Sequence, residues 1–249
     1  MTSDANFGTE LALSAKRFAS VLKNMGVQQT VSACVSILED RYLHTFDRAY
    51  HVQTGGVIEL TTTSVDRSKL KYANVYAPVN AWALRKLLRK LALPESYRFA
   101  DLGCGLGRPV ILAAEYGFSK VTGVDFAPEL CAKARENVVA SKLNVEQKNT
   151  IEIVQGDVMD YCAQTDDDVF FMFRPFSWEF LQHVVAKIAE RAVNQSRRVT
   201  VIYSERLNLP ESFNEAFTQN SLYRPSFSFR SLGQKFDVHQ CGPATGSAS

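Results

Sequence analysis

The chain has 249 residues, room for one sizeable α/β core with an addition, and its 46% hydrophobic and 22% charged residues with 13 Gly and 8 Pro exclude collagen-like, low-complexity and wholly disordered readings. Against 26 Asp and Glu, 28 Lys and Arg leave a net charge of +2, which names no polyanionic partner and argues against nucleic acid. Five cysteines, at 34, 104, 131, 162 and 241, show neither a disulfide framework nor zinc spacing, so no metal is expected. With no basic-then-apolar leader and no run of about 18 apolar residues, the expected setting is the reducing cytoplasm, away from membranes.

Residues 9–48 carry apolar side chains at helical spacing, among them Leu11, Phe18, Val21 and Leu22, then Val31, Val35, Leu38, Tyr42 and Phe46, which predicts two or three helices. From His51 to about Val75 the pattern breaks. Thr54-Gly55-Gly56, three threonines and Asp66-Arg67-Ser68 predict turns forming a linker or lid. Residues 80–93 read as an amphipathic helix closed by Pro94, with Leu84, Leu87, Leu88 and Leu91 on one side. Arg85, Lys86, Arg89 and Lys90 on its other side form either a solvated face or a contact for phosphates.

Beyond Pro94 strands and helices alternate, over 98–102, 110–116, 120–124, 128–139, 150–155, 168–173, 178–192 and 198–204. Short connections between them imply parallel βαβ units in a doubly wound sheet. A short helix after Pro210 and two strands, 223–229 and 235–241, complete it as an antiparallel hairpin. The expected fold is therefore α/β, a mainly parallel seven-stranded sheet with an N-terminal helical extension. The expected division is a helical cap and lid over 1–96, a sheet domain over 97–241 and a disordered tail over 242–249.

The most informative stretch is Asp101-Leu-Gly103-Cys104-Gly105-Leu-Gly107-Arg108, a strand running into glycines that open a helix. Glycines at the carboxyl end of a strand let backbone amides approach a ligand. Arg108 stands where a dinucleotide fingerprint needs its third glycine, and no Gly-Lys-Ser/Thr follows, which excludes a P-loop. Asp101 would repel a pyrophosphate and suits an ammonium group. Asp125 ends the next strand, where a carboxylate accepts from ribose hydroxyls, and Phe126 beside it can pack on a base. Asp157 ends the third strand and can accept from an exocyclic amine such as adenine N6. One acid at such a place is usually a helix cap; three in order point to an aminoacyl nucleoside.

DLGCGLG, GVDF and GDV resemble motifs I, II and III of class I S-adenosylmethionine-dependent methyltransferases, over roughly Phe99 to Ser204. More narrowly, GRPVILAAEYGFSKVTGVDFAPELCAKARENV, with FDRAYHVQTGGVIEL and YAPVNAWALRKLL before it, is similar to a bacterial group of largely unassigned substrate. The resemblance implies a Rossmann-like methyltransferase fold with S-adenosylmethionine as cofactor. It implies that Asp101 and the backbone of Gly103, Cys104 and Gly105 hold the methionyl part, Asp125 the ribose, and Asp157 with Val158 the adenine. Tyr76, in Tyr-Ala-Pro, is either a further contact for the methionyl end or a packing residue.

The fourth strand ends in Arg174-Pro175-Phe176, where related enzymes carry an Asn or Asp that accepts from a substrate nitrogen. Arginine has no acceptor, so Arg174 points instead to a substrate carboxylate or phosphate, or to a protein carboxylate at the rim. His51, beside the Thr-Gly-Gly turn, is the expected general base if one is needed. Tyr42, Phe46, Tyr50, Trp82 and Tyr203 are pocket or core aromatics. The expected function is methyl transfer to an O or N nucleophile of a small, acidic metabolite, with a small-molecule partner. Protein or RNA methylation through the basic helix and the C-terminal Tyr223, Arg224, Phe227, Phe229 and Arg230 is the alternative, and a non-catalytic cofactor-binding regulator is a third reading.

Overall fold

The computed structural model describes residues 45–64, 70–207 and 213–243. The helices expected over 9–48 lie outside these residues except at 45–50, which are helical, and so does the expected tail beyond 243. Helix α1 spans Ala81–Leu91. The sheet domain then runs β1 (Arg98–Leu102), α2 (Arg108–Tyr116), β2 (Lys120–Asp125), α3 (Pro128–Ala140), α4 (Val145–Asn149), β3 (Ile151–Gln155) and α5 (Val158–Gln164). It continues as β4 (Val169–Phe173), α6 (Trp178–Asn194), β5 (Val199–Arg206), α7 (Glu215–Thr218), β6 (Tyr223–Ser231) and β7 (Gln234–Cys241).

The seven strands lie in the order β3-β2-β1-β4-β5-β7-β6. β1 to β5 are mutually parallel, and β7 runs antiparallel between β5 and β6. This is the expected doubly wound, mainly parallel sheet closed by a hairpin. Its winding reverses between β1 and β4, so the connections after those two strands leave in opposite directions and open a crevice at their carboxyl ends. The strands facing helices on both sides read as continuous apolar runs, such as Val-Phe-Phe-Met-Phe in β4. Leu84, Leu87 and Leu88 of α1 pack with Val110, Ile111 and Phe118 on one face of the sheet. Leu181, Val184, Val185 and Ile188 of α6 pack with Phe170, Val201 and Tyr203 on the other.

Local chemistry sets the ends of these elements. Asn80 starts α1 by accepting from the Trp82 and Ala83 N–H groups. The helix stops before Pro94, because Ala92 turns left-handed (φ 47°) and donates its N–H to the Leu88 carbonyl. Two helices escaped the sequence reading: α4, only five residues with a capping box at Asn144 and Gln147, and α5, which begins directly at Val158. The stretch expected to be a lid forms a bridge between Ile58 and Tyr76 and a 3₁₀ turn over Leu60–Thr62.

Candidate functional site

The glycine loop follows β1 with Gly103, Gly105 and Gly107 at φ 82°, 52° and 84°, a left-handed path that only glycine follows without strain. Gly103 and Cys104 donate their N–H groups to the Val124 carbonyl, which fixes the loop to β2. A Cβ at Gly103 would lie 2.4 Å from Pro175 Cβ, and one at Gly105 would lie 2.2 Å from Tyr76 Cδ2. These two glycines therefore serve both the turn and the close approach of the residues above it.

Arg108 opens α2 fully buried, and its guanidinium is a tie across the site. Its Nε donates to Thr54 Oγ1 at 2.8 Å, its Nη1 to the Val79 carbonyl at 3.0 Å and its Nη2 to Asp47 Oδ1 at 3.1 Å. Asp47 also accepts from the Thr54 and Gly55 N–H groups, and the Tyr76 hydroxyl donates to the Thr54 carbonyl at 2.7 Å. Burial lowers the Arg108 pKa and raises that of Tyr76. The residue that spoils a dinucleotide fingerprint thus holds residues 47–54 and 76–79 over the loop. Sequence spacing alone carried no sign of this partnership.

Asp125 ends β2, Asp101 is the penultimate residue of β1, and Asp157 follows β3 by two residues. Asp101 is 1% exposed, and its Oδ2 has no hydrogen-bond partner among the described residues. Burial, then the Asp125 charge, pushes its carboxyl well above the usual range. An unpartnered buried carboxylate oxygen calls for a ligand donor. Asp125 accepts from the Gly105 N–H at 2.9 Å and the Ala127 N–H at 3.0 Å, one on each oxygen, leaving each a lone pair for a hydroxyl. Asp157 N-caps α5 by accepting from the Met159 N–H with one oxygen.

Tyr76, Asp101, Gly103, Cys104, Gly105, Asp125, Phe126 and Val158 all line one cleft, together with Leu130 and Phe176. Beside the loop it is narrow, holding about 50 Å³. It adjoins a recess of about 340 Å³ walled by Tyr72, Phe126, Asp157, Val158, Phe176 and Phe180. A slim polar end and a wide aromatic end suit a ligand with an aminoacyl chain on one side and a base on the other. Cys104 is buried and its thiol pushed well up, chiefly by burial, so it contributes shape and backbone rather than a thiolate.

The opposite side of the cleft opens on a third recess, of about 540 Å³, lined by Val57, Asn74, Val75, Phe173, Arg174 and Arg206. Arg174 has φ 40°, rare for a residue with a side chain, and turns its guanidinium 4.0 Å from the Phe213 ring centre and 3.8 Å from Glu205. The carboxylate beside it, Glu205, is buried rather than at the rim. Asn74, which sequence reasoning missed, clamps this turn: its side chain donates to the Arg174 and Phe176 carbonyls at 3.0 and 2.7 Å. The partners lie about a hundred positions apart, beyond the reach of local pattern. His51 stands exposed just after the 45–50 helix with φ 60°, and the walls of these three recesses do not include it. Phe46 and Tyr50 stack in the core, Tyr203 is buried, and Trp82 is exposed; Tyr42 lies outside the described residues.

Residues 99–201 match the family profile described as a methyltransferase domain. Over 69 residues the chain is 41% identical to the ribosomal protein L11 methyltransferase of Alkaliphilus oremlandii (strain OhILAs), covering 28% of this chain and 21% of that protein. Over 77 residues it is 38% identical to the putative methyltransferase YqeM of Bacillus subtilis (strain 168), covering 28% of this chain and 30% of that one. The chain thus spans less than a third of the length of these curated relatives. Among solved structures, the RNA methyltransferase from Salinibacter ruber in complex with S-adenosyl-L-homocysteine superposes with a TM-score of 0.51 at 18% identity, over 69% of this chain and 97% of that one. That likeness concerns the fold.

These relatives correct the expected partner. The small-molecule substrate is expected from Arg174 and the disfavour of nucleic acid from a near-neutral charge, whereas the curated relative from Alkaliphilus oremlandii is named for a macromolecule, a ribosomal protein. The physical reason is that net charge averages over the whole surface, while a partner meets one face of it. Among the described residues no helix is long and apolar enough to cross a membrane, and no cluster of His, Cys, Asp and Glu is arranged to hold a metal ion.

Proposed function

We propose that this chain, whose residues 99–201 match a methyltransferase domain, is an S-adenosylmethionine-dependent enzyme that methylates an O or N nucleophile on a macromolecule, protein or RNA. The observation that carries the cofactor assignment is the buried, unpartnered Oδ2 of Asp101 beside a loop of left-handed glycines. Asp101 accepts from the cofactor's ammonium, Asp125 from its ribose hydroxyls and Asp157 from the adenine amine, with Phe126 and Val158 against the base. Bound there, S-adenosylmethionine supplies a methyl group already activated on a sulfonium.

The protein's remaining task is to hold a nucleophile in line and keep water out. Tyr76 and Pro175, packed on Gly105 and Gly103, close the cleft over the methionyl end. Asn74 fixes the turn at Arg174 and so sets the wall between cofactor and acceptor. Arg206 offers a guanidinium group to an acidic or phosphate-bearing acceptor in the 540 Å³ recess, beside Arg174, whose guanidinium is engaged with Glu205 and the Phe213 ring. Val57 and Val75, 64% and 56% exposed on that recess, give it an apolar lip that a large partner can cover.

Incubation of the full chain with S-adenosylmethionine labelled on its methyl and a cell extract tests this reading. Label is expected in the protein or RNA fraction and absent with Asp101→Asn. Label confined to small molecules rules out a macromolecular acceptor, and cofactor binding with no transfer to any fraction makes the protein a non-catalytic binder.

A further inference from the structure

Helix α1 and strand β6 meet along one face of the molecule, and neither contains an Asp or Glu. Trp82, Lys86 and Lys90 are four residues apart and form a single exposed row on α1. The row lies against the rings of β6: Lys86 Nζ is 4.8 Å from the Trp82 ring centre and 5.8 Å from that of Phe229, and Lys90 Nζ is 5.6 Å from that of Phe227. Phe227 and Phe229 are nearly parallel, their centres 6.4 Å apart. By the pairing of Arg224 with Gln240, Phe227 with Val238 and Phe229 with Phe236, Arg224 extends the same side of the strand. Of the four basic residues of α1, Arg85 is engaged with Glu115. The other three have no ion-pair partner among the described residues.

This face starts at the cleft. Val79 lines the cleft wall and Asn80 begins α1, its N–H donating to Gln234 Oε1 at 3.0 Å. Gln234 pairs with Arg206 at the end of β5, and Arg206 lines the acceptor recess. Trp82 therefore sits within one turn of the site, and the row from Trp82 to Lys90 runs about 12 Å away from it along the helix. Cations alternating with aromatic rings, with no acid between them, match a chain of phosphates alternating with unpaired bases. Phe227 and Phe229 are half-buried against the core, while Trp82 is exposed, so an acidic protein segment would use the cations and leave the Trp82 ring without a partner.

We propose that this face is a track for single-stranded RNA, which leads the acceptor nucleotide into the recess at Arg174 and Arg206. The inference rests on the macromolecular acceptor proposed above and narrows it to RNA. It also explains how a chain of near-neutral net charge can hold a polyanion, since the positive charge is concentrated where the rings are.

The test is fluorescence anisotropy of the full chain with a labelled, mixed-sequence 12-nucleotide RNA at 50 and 200 mM KCl. Three phosphate contacts predict that binding weakens roughly tenfold or more between the two salts. The double variant K86E/K90E is expected to lose about tenfold or more in affinity and most of the salt dependence. Trp82→Ala, a change at an exposed residue, is expected to lose about fivefold or more with the salt dependence kept. Calorimetry with S-adenosylhomocysteine checks that each variant is folded and separates the two readings, because the track can fail while the cofactor binds, and the cofactor can fail while RNA binds. No RNA binding at 50 mM KCl overturns the proposal. So does unchanged affinity in K86E/K90E. Equal binding of duplex RNA that is indifferent to Trp82→Ala, or of poly-glutamate as tightly as RNA, overturns it as well.

Discussion

Asp101 combines two properties that rarely persist together, complete burial and a carboxylate oxygen without a donor. Its pKa is raised by burial and by Asp125, and the ionised form is the one that accepts from an ammonium. Cofactor affinity should therefore be full above that raised pKa and fall as pH drops through it, at a higher pH than an ordinary carboxylate would give. Asp101→Asn should weaken S-adenosylhomocysteine binding by about 10- to 100-fold at neutral pH and flatten the dependence, which calorimetry from pH 8 to pH 5 measures. The sequence exposed this residue because its meaning depends on a local pattern, a strand followed at once by glycines. Asn74 was invisible because its role is to satisfy carbonyls brought to it by folding, and nothing about an asparagine before Val75-Tyr76 announces that.

Among the elements, the decisive connection is made by Arg108, the first residue of α2. It joins residues 47–54 and 76–79 to the glycine loop and is wholly enclosed, so removing its carboxylate partner strands a buried cation. Asp47→Ala should cost about 3 kcal/mol or more in urea unfolding, and Asp47→Asn, which keeps acceptors for the Thr54 and Gly55 N–H groups, should cost less. Unequal cofactor affinity of these two variants, at full folding, would show that the tie also shapes the site. The parallel strands β4 and β5 were legible as nearly continuous apolar runs between short turns, buried on both faces. α5 was not, since Asp157-Val158 reads equally as the end of a strand or the start of a helix. α4 was not, since five residues are too few for a period to appear.

At the scale of the molecule, the sheet sorts charge that composition had averaged away. Asp101 and Asp125 stand at the cleft and Asp157 at its adjoining recess, while the basic row of α1 lies outside it beside β6. The hairpin that carries β6 is secured by His239, buried with Nε2 at Asn214 and its ring stacked on Phe217. Burial, opposed by Asp237 and reinforced by Lys235, lowers its pKa from 6.5 to about 4. The unfolded chain thus takes up a proton below about pH 6.5 that the native state refuses until about pH 4. Stability should fall by roughly 2–3 kcal/mol across that window and then level, and His239→Gln should remove that part of the pH dependence of urea midpoints. The tyrosine seated on Gly105 has a consequence of a kinetic kind. Its ring lies over the glycine loop and its hydroxyl is fastened to the Thr54 carbonyl, so a cofactor seated on that loop is expected to exchange only as Tyr76 moves. In stopped-flow mixing the observed binding rate should then level off at high cofactor concentration, at the rate at which Tyr76 lifts away. Tyr76→Ala should make it rise linearly, turning a slow-exchanging pocket into one that trades spent cofactor for fresh on every encounter.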